Sequence, residues 1–229
     1  MNNLNENLND VFDLCNKTYD TDLIFNILKS GSVMEKQVAV LNLSEIRSKY
    51  DAEILMDNLT GIDGKVRQAV AYKVLQLIPY YKEYFKDEKF YDIFANSIID
   101  IDSNVSRLDI DAVQYLKDDE NFSKYIANKM KDIILSALDE LSKISYKSKK
   151  YTSNKQYFKI YWCLETLISF YSYLDNNDLL NLISKCVVLP EYTIREKCAI
   201  ILKQIPDKSG FDDVKLLLDN DENYYVRNV

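Results

Sequence analysis

Residues 155–162 carry the side chains best suited to binding chemistry. Phe158 and Trp162 stand one helical turn apart, flanked by Lys155 and Lys159. An aromatic pair beside ammonium groups suits peptide recognition or the stacking of bases. Upstream, Lys149 and Lys150 extend the same basic island. Residues 141–160 hold six lysines and no acid. The opposite charge gathers earlier, where residues 87–120 hold ten acids against Lys89, Arg107 and Lys117. Within that stretch Asp109 and Asp111 are candidate contacts for a basic partner. They are two residues apart and so point away from each other on a helix, which rules out a facing carboxylate pair.

Other chemistries lack their residues. The chain has no histidine, which removes imidazole acid–base catalysis and imidazole metal ligands. Cys15, Cys163, Cys186 and Cys198 show no C-x-x-C spacing and read as buried thiols in a reducing compartment. No glycine-rich phosphate loop or nucleophile elbow is present. The expectation is a non-enzyme without cofactor or metal. A net charge of −7 repels phosphate backbones and anionic lipid, so nucleic-acid and membrane partners lose weight. The N-terminus lacks the basic and apolar regions of a signal peptide, and no apolar run is long enough to span a bilayer. These features predict a cytoplasmic protein.

The elements that must position these residues are helices. Apolar residues make up 47% of the 229-residue chain, with only 4 Gly and 3 Pro. Long periodic runs with so little punctuation argue for an all-α fold. The spacing predicts a helix over residues 4–15, so that residues 1–18 form an N-terminal capping helix. Further helices are expected near 20–31, 32–48, 51–59, 63–79, 87–99, 103–116, 121–144, 155–174, 178–188, 191–205 and 210–218. Gly31 and Pro79 act as stops, and residues 145–154 form an irregular basic insertion. On the helix after the insertion, Tyr157, Ile160, Tyr161, Leu164 and Ile168 form the expected core stripe. Phe158, Trp162, Glu165 and Ser169 lie on another, which faces the groove or solvent unless both stripes are packed between neighbours.

One helix-opening unit recurs. It consists of a capping residue, two spacers, an apolar residue and then a basic one. The copies are Asp63…Val66-Arg67, Asp102…Val105-Ser106, Glu191…Ile194-Arg195 and Asn223…Val226-Arg227, with fainter ones at Ser32 and Asn154. Their apolar anchors are separated by 31, 39, 52, 37 and 32 residues, the period of helical pairs with one insertion. The last copy has no room to finish its helix, so either the array ends uncapped there or the natural protein is longer.

This pattern resembles the HEAT-repeat and armadillo-like family, best at Asp63, Val66, Arg67, Ala69, Val70 and Leu75, then at Glu191, Ile194, Arg195, Cys198, Ala199 and Leu202. The resemblance implies an α-solenoid of about five to six antiparallel helical pairs in a right-handed superhelix, as one domain over residues 1–229. It also implies that Asp63, Asp102, Arg67, Arg195 and Arg227 link neighbouring repeats by ladder-like hydrogen bonds. Capping and ion pairing account for those residue types without catalysis. The functional expectation is a scaffold or adaptor whose concave surface binds a protein or peptide, a basic one included. The alternative is a nucleic-acid-binding solenoid of the DNA alkylation-repair type, using residues 141–162.

Overall fold

Every regular element in the computed structural model is helical among the residues described, which are 14, 16–143 and 150–229, without the side chains of Lys150 and Tyr151. Most of the expected capping helix, with Cys15, lies outside them, as do Lys149 and the first half of the basic insertion. The chain groups into two compact units, residues 1–116 and 117–229.

In the first unit the helices are α1 (Thr21–Ser30), α2 (Val33–Leu41), α3 (Lys49–Leu59), α4 (Gly64–Phe85), α5 (Tyr91–Ile98) and α6 (Ser103–Val113). Short polar loops fold each helix back on the one before. Their starts are set by side chains that accept from free amides of the first turn. Asp20 Oδ1 accepts from Leu23 N at 2.8 Å, Asp63 Oδ1 from Val66 N at 3.0 Å and Asp102 Oδ1 from Asn104 N at 2.9 Å. Ser32 and Glu35 make a reciprocal capping box, with Glu35 Oε2 accepting from Ser32 N at 2.8 Å.

Helices this short are marginal alone, so stacking must hold them. The pairs α1/α2, α3/α4 and α5/α6 pack in series: α1 touches α3 and α3 touches α5, while α2 touches α4 and α4 touches α6. Leu28, Val40, Leu55, Val70, Val74, Phe94 and Val113 fill the core between them, each at 1% exposure or less. Burying each such side chain is worth roughly 1.5–3 kcal/mol before entropy is subtracted.

Two boundaries differ from expectation. Pro79 is not the last helical residue of its segment: Gly64–Phe85 is two helical segments joined at a kink, where the helical dihedrals break at Tyr81. A proline removes one ladder bond and bends a helix that tertiary packing otherwise holds together. The helix expected over 32–48 stops at Leu41, and the extended segment after it buries Leu43 and Ile46.

The second unit holds α7 (Glu120–Lys143), α8 (Lys150–Phe170), α9 (Asn176–Cys186), α10 (Tyr192–Gln204), α11 (Asp212–Asp219) and α12 (Tyr224–Arg227). Again second helices stack, α8 on α10 and α10 on α12, and α7 touches α9. Residues 150–154, expected to be irregular, are helical. Asn154 is therefore inside α8 and does not cap it.

The repeat positions occupy equivalent places. Val66, Val105, Ile194 and Val226 are all buried. Arg67 grips Asp100, with Nε to Oδ2 at 2.6 Å and Nη2 to Oδ1 at 2.9 Å, and its Nη1 donates to the carbonyls of Gly61 and Ile62. Arg195 repeats the pattern on Asp221 at 2.6 and 3.0 Å, with Nη1 on the carbonyls of Leu189 and Pro190. Asp100 and Asp221 in turn each accept, at 2.8 Å, from the backbone amide two residues on. The expected ladder therefore exists, but its acids are Asp100 and Asp221. Asp63 and Asp102 are caps. Ser106, in the arginine's place, reaches only the loop carbonyls of Asp100 and Asp102. Arg227 donates to the carbonyl of Asp221.

Candidate functional site

Helix α8 starts with charged and polar residues and becomes aromatic in its second and third turns. Its neighbour α10 begins at Tyr192, just past Pro190 and Glu191. A cleft of about 410 Å³ opens where these elements meet, lined by Asn154, Tyr157, Phe158, Tyr161, Trp162, Glu191, Thr193 and Ile194. That volume is within the range of small-ligand and side-chain pockets.

The aromatic walls are packed edge to face. Trp162 meets Phe158 at a centroid distance of 5.8 Å and 77°, and Tyr161 at 4.9 Å and 80°. Such pairs are the favoured geometry for rings whose faces are negative and edges positive. Phe158 is half-buried and Trp162 is 7% exposed. The indole Nε1–H of Trp162 is buried without an acceptor. An unpaired buried donor costs free energy, and few native donors are left so.

Glu191 holds the helix-opening place that Asp63, Asp102 and Asn223 hold elsewhere. Those three side chains cap their helices; the Glu191 side chain makes no cap bond. It is exposed at the cleft. Burial, followed by the Glu191 charge, pushes the Tyr157 phenol above its usual range. Deeper on the same face, Lys197 Nζ pairs with Glu165 at 2.6 Å and sits 5.3 Å from the Tyr161 ring centroid. Burial pulls the Lys197 ammonium down, but the Glu165 carboxylate outweighs it and holds the group above its usual value.

The candidate residues separate in the structure. Phe158 and Trp162 line the cleft together, joined by Tyr157 and Tyr161 from the stripe expected to be core. Lys155 is exposed and Lys159 half-buried, and neither lines the cleft. Lys149 and the Lys150 side chain lie outside the described residues. Asp109 and Asp111 do not form one surface. Asp111 is exposed, whereas Asp109 is at 0% exposure and neither of its carboxylate oxygens has a hydrogen-bond partner. Burial pushes the Asp109 carboxyl up to about 8, against the pull of the nearby Ser97 hydroxyl. Asp109 is therefore withdrawn as a partner contact, because helix α6 turns it inward. Sequence spacing marks Glu191 only as a repeat position; its length is the available signal, since the shorter Asp, Asn and Ser side chains are the preferred caps.

A second cleft, of about 540 Å³, lies in the first unit between Gly31, Val33, Lys36, Asn58, Gly61, Ile62, Asp63, Gly64 and Val66. Its polar groups are already engaged. Lys36 Nζ donates to Asn58 Oδ1 at 3.0 Å, Asn58 Nδ2 donates to the Leu28 and Ile54 carbonyls, and Asp63 caps α4.

Cys163, Cys186 and Cys198 are free and buried, and burial raises the Cys163 thiol well above its usual range. Among the described residues no group of three or more acids and thiols is placed to hold a metal ion. Among them, too, no helix is long and apolar enough to cross a membrane.

No family model and no curated protein matches the chain. Among solved structures it is similar to importin beta, crystallised in a polyethylene glycol condition, with a TM-score of 0.57 and 11% identity. The match covers 92% of this chain but 32% of that one, so the chain spans about a third of its length. Importin beta is an α-solenoid of HEAT repeats, and likeness at this identity speaks for the fold alone. With every regular element among the described residues helical, stacked pairs and two arginine–aspartate rungs at equivalent positions, the fold of this chain is a HEAT-like helical-repeat fold.

Proposed function

We propose that the chain is a non-enzymatic interaction scaffold, in a reducing cytoplasm, that binds a peptide segment of a protein partner in the cleft of α8 and α10. The observation that carries this reading is the cleft itself: four aromatic side chains, a buried indole donor without an acceptor and a carboxylate not used for capping. Aromatic side chains supply large contact area at small entropic cost. The net charge of −7 favours basic partners over acidic ones. The Glu191 carboxylate at the cleft argues for peptide over nucleic acid, whose phosphates it repels.

The test is a random-peptide display selection on the whole chain, followed by calorimetry of the enriched peptides. We expect Phe158→Ser to weaken binding about ten-fold, a loss typical of a central aromatic contact. Enriched peptides that bind the variant as tightly as the wild type, or a selection that enriches nothing, overturn the reading.

A further inference from the structure

The cleft has the composition of a cation receptor. Faces of Phe, Tyr and Trp rings attract positive charge, most strongly for Trp and where water is excluded. Here rings from positions 157, 158, 161 and 162 share one opening, and Trp162 stands nearly perpendicular to both Phe158 and Tyr161. Walls set at right angles suit a compact, rounded cation better than a flat one, which needs a single open stacking face. The protein already seats an ammonium of its own over one of these rings, Lys197 at 5.3 Å from the Tyr161 centroid. A carboxylate, Glu191, is at the opening with no capping duty, while Lys155 and Lys159 stay out of the lining.

The degree of alkylation follows from hydrogen bonding. An unmodified ammonium brings three donors and a tightly held water shell. The lining offers one carboxylate, the Asn154 amide and a few hydroxyls to replace that shell. Methyl groups remove the donors, spread the charge and place apolar surface against the rings.

We infer that this cleft receives the methylated ammonium head of a lysine side chain presented by a protein partner. This deepens the peptide-binding reading and rests on it. The half-buried rings of Tyr157, Phe158 and Tyr161 receive the head, and Glu191 balances its charge at the rim.

Trp162 is the chain's single tryptophan, so fluorescence excited at the red edge of the band, where the 18 tyrosines absorb little, reads this cleft. The whole chain is titrated with a Gly/Ser decapeptide carrying one central trimethyllysine, at constant ionic strength. Parallel titrations use the same peptide with the neutral tert-butyl isostere, with unmodified lysine, with arginine, and tetramethylammonium chloride alone. The expected result is a saturable change with trimethyllysine, about ten-fold tighter than with the neutral isostere, the scale of a desolvated cation–π contact. Glu191→Gln should weaken that binding several-fold and change the melting temperature little, because the exposed Glu191 side chain makes no cap bond. Phe158→Leu, which keeps apolar bulk, should also weaken it.

Equal binding of the neutral isostere overturns the inference while leaving a peptide cleft in place. Equal or tighter binding of the lysine or arginine peptide overturns the methylated head. Tetramethylammonium binding without peptide binding makes the cleft a small-molecule site and overturns the partner. If no ligand changes the fluorescence but displayed peptides are still enriched and still need Phe158, the inference falls alone. If neither occurs, both readings fall.

Discussion

Asp109 is the residue whose chemistry burial changes most. Its carboxyl has no hydrogen-bond partner and its value rises to about 8 from an ordinary 3.8. The folded chain therefore holds a proton that the unfolded chain releases in that interval. The state binding more protons is the folded one, so the contribution of Asp109 to stability falls as pH rises from about 4 to about 8 and is level above. Asp109→Asn removes the titration. Scanning calorimetry should show the variant's advantage in melting temperature growing between pH 5 and pH 8, to about 3 °C or more, the shift expected for roughly 1 kcal/mol in a chain of this size. A constant difference across that range would sink the assignment. At the same scale, sequence periodicity placed Asp109 and Asp111 on one acidic helix but could not say which way that helix faces. That is set by the neighbours α6 packs against.

Between elements, two features decide how helices join. Gly31 ends α1 with an ordinary negative φ, so freedom of the backbone is not its reason. A Cβ there would stand 2.7 Å from Ile27 Cγ2 and 2.8 Å from Ile27 O. Gly31→Ala should cost about 1–3 kcal/mol through overpacking, read as a lower denaturation midpoint. The other feature is the arginine rung. Arg195 and Asp221 are 8% and 7% exposed at the side chain and share two bonds. Arg195→Lys cannot reproduce the fork and leaves Asp221 without its bidentate partner. A loss near 3 kcal/mol is expected, lowering the melting temperature by about 6 °C or more. Glu222→Gln is the control: Glu222 is exposed, and its 3.7 Å contact with Arg195 should matter little. The valine–arginine unit was legible in the sequence. Its acid was not, since it lies 33 residues away in one copy and 26 in the other. In both copies the structure places that acid two residues before the next cap.

Across the whole molecule, charge bears on the choice of partner. A net charge of −7 with a carboxylate at the aromatic cleft disfavours polyanions. A salt-titrated assay with a short DNA duplex should show no binding even at low ionic strength, where phosphate contacts are strongest. Binding that weakens steeply with added salt would restore the nucleic-acid alternative and centre attention on residues 141–162.

The sequence alone determined the helical class, most helix starts and the recurring unit, because capping and 3.6-residue periodicity are local in the chain. Asp63, Asp102 and Asn223 open their helices as their residue types require. Helix ends were less legible where packing overrides propensity, as where the helix expected to reach residue 48 stops at Leu41. Only the tertiary structure decided which groups meet. It gathered rings from two stripes of α8 with Glu191 of the loop before α10, set Lys155 and Lys159 aside and turned Asp109 inward. Those outcomes depend on contacts between residues tens of positions apart, where neither spacing nor residue type carries the information.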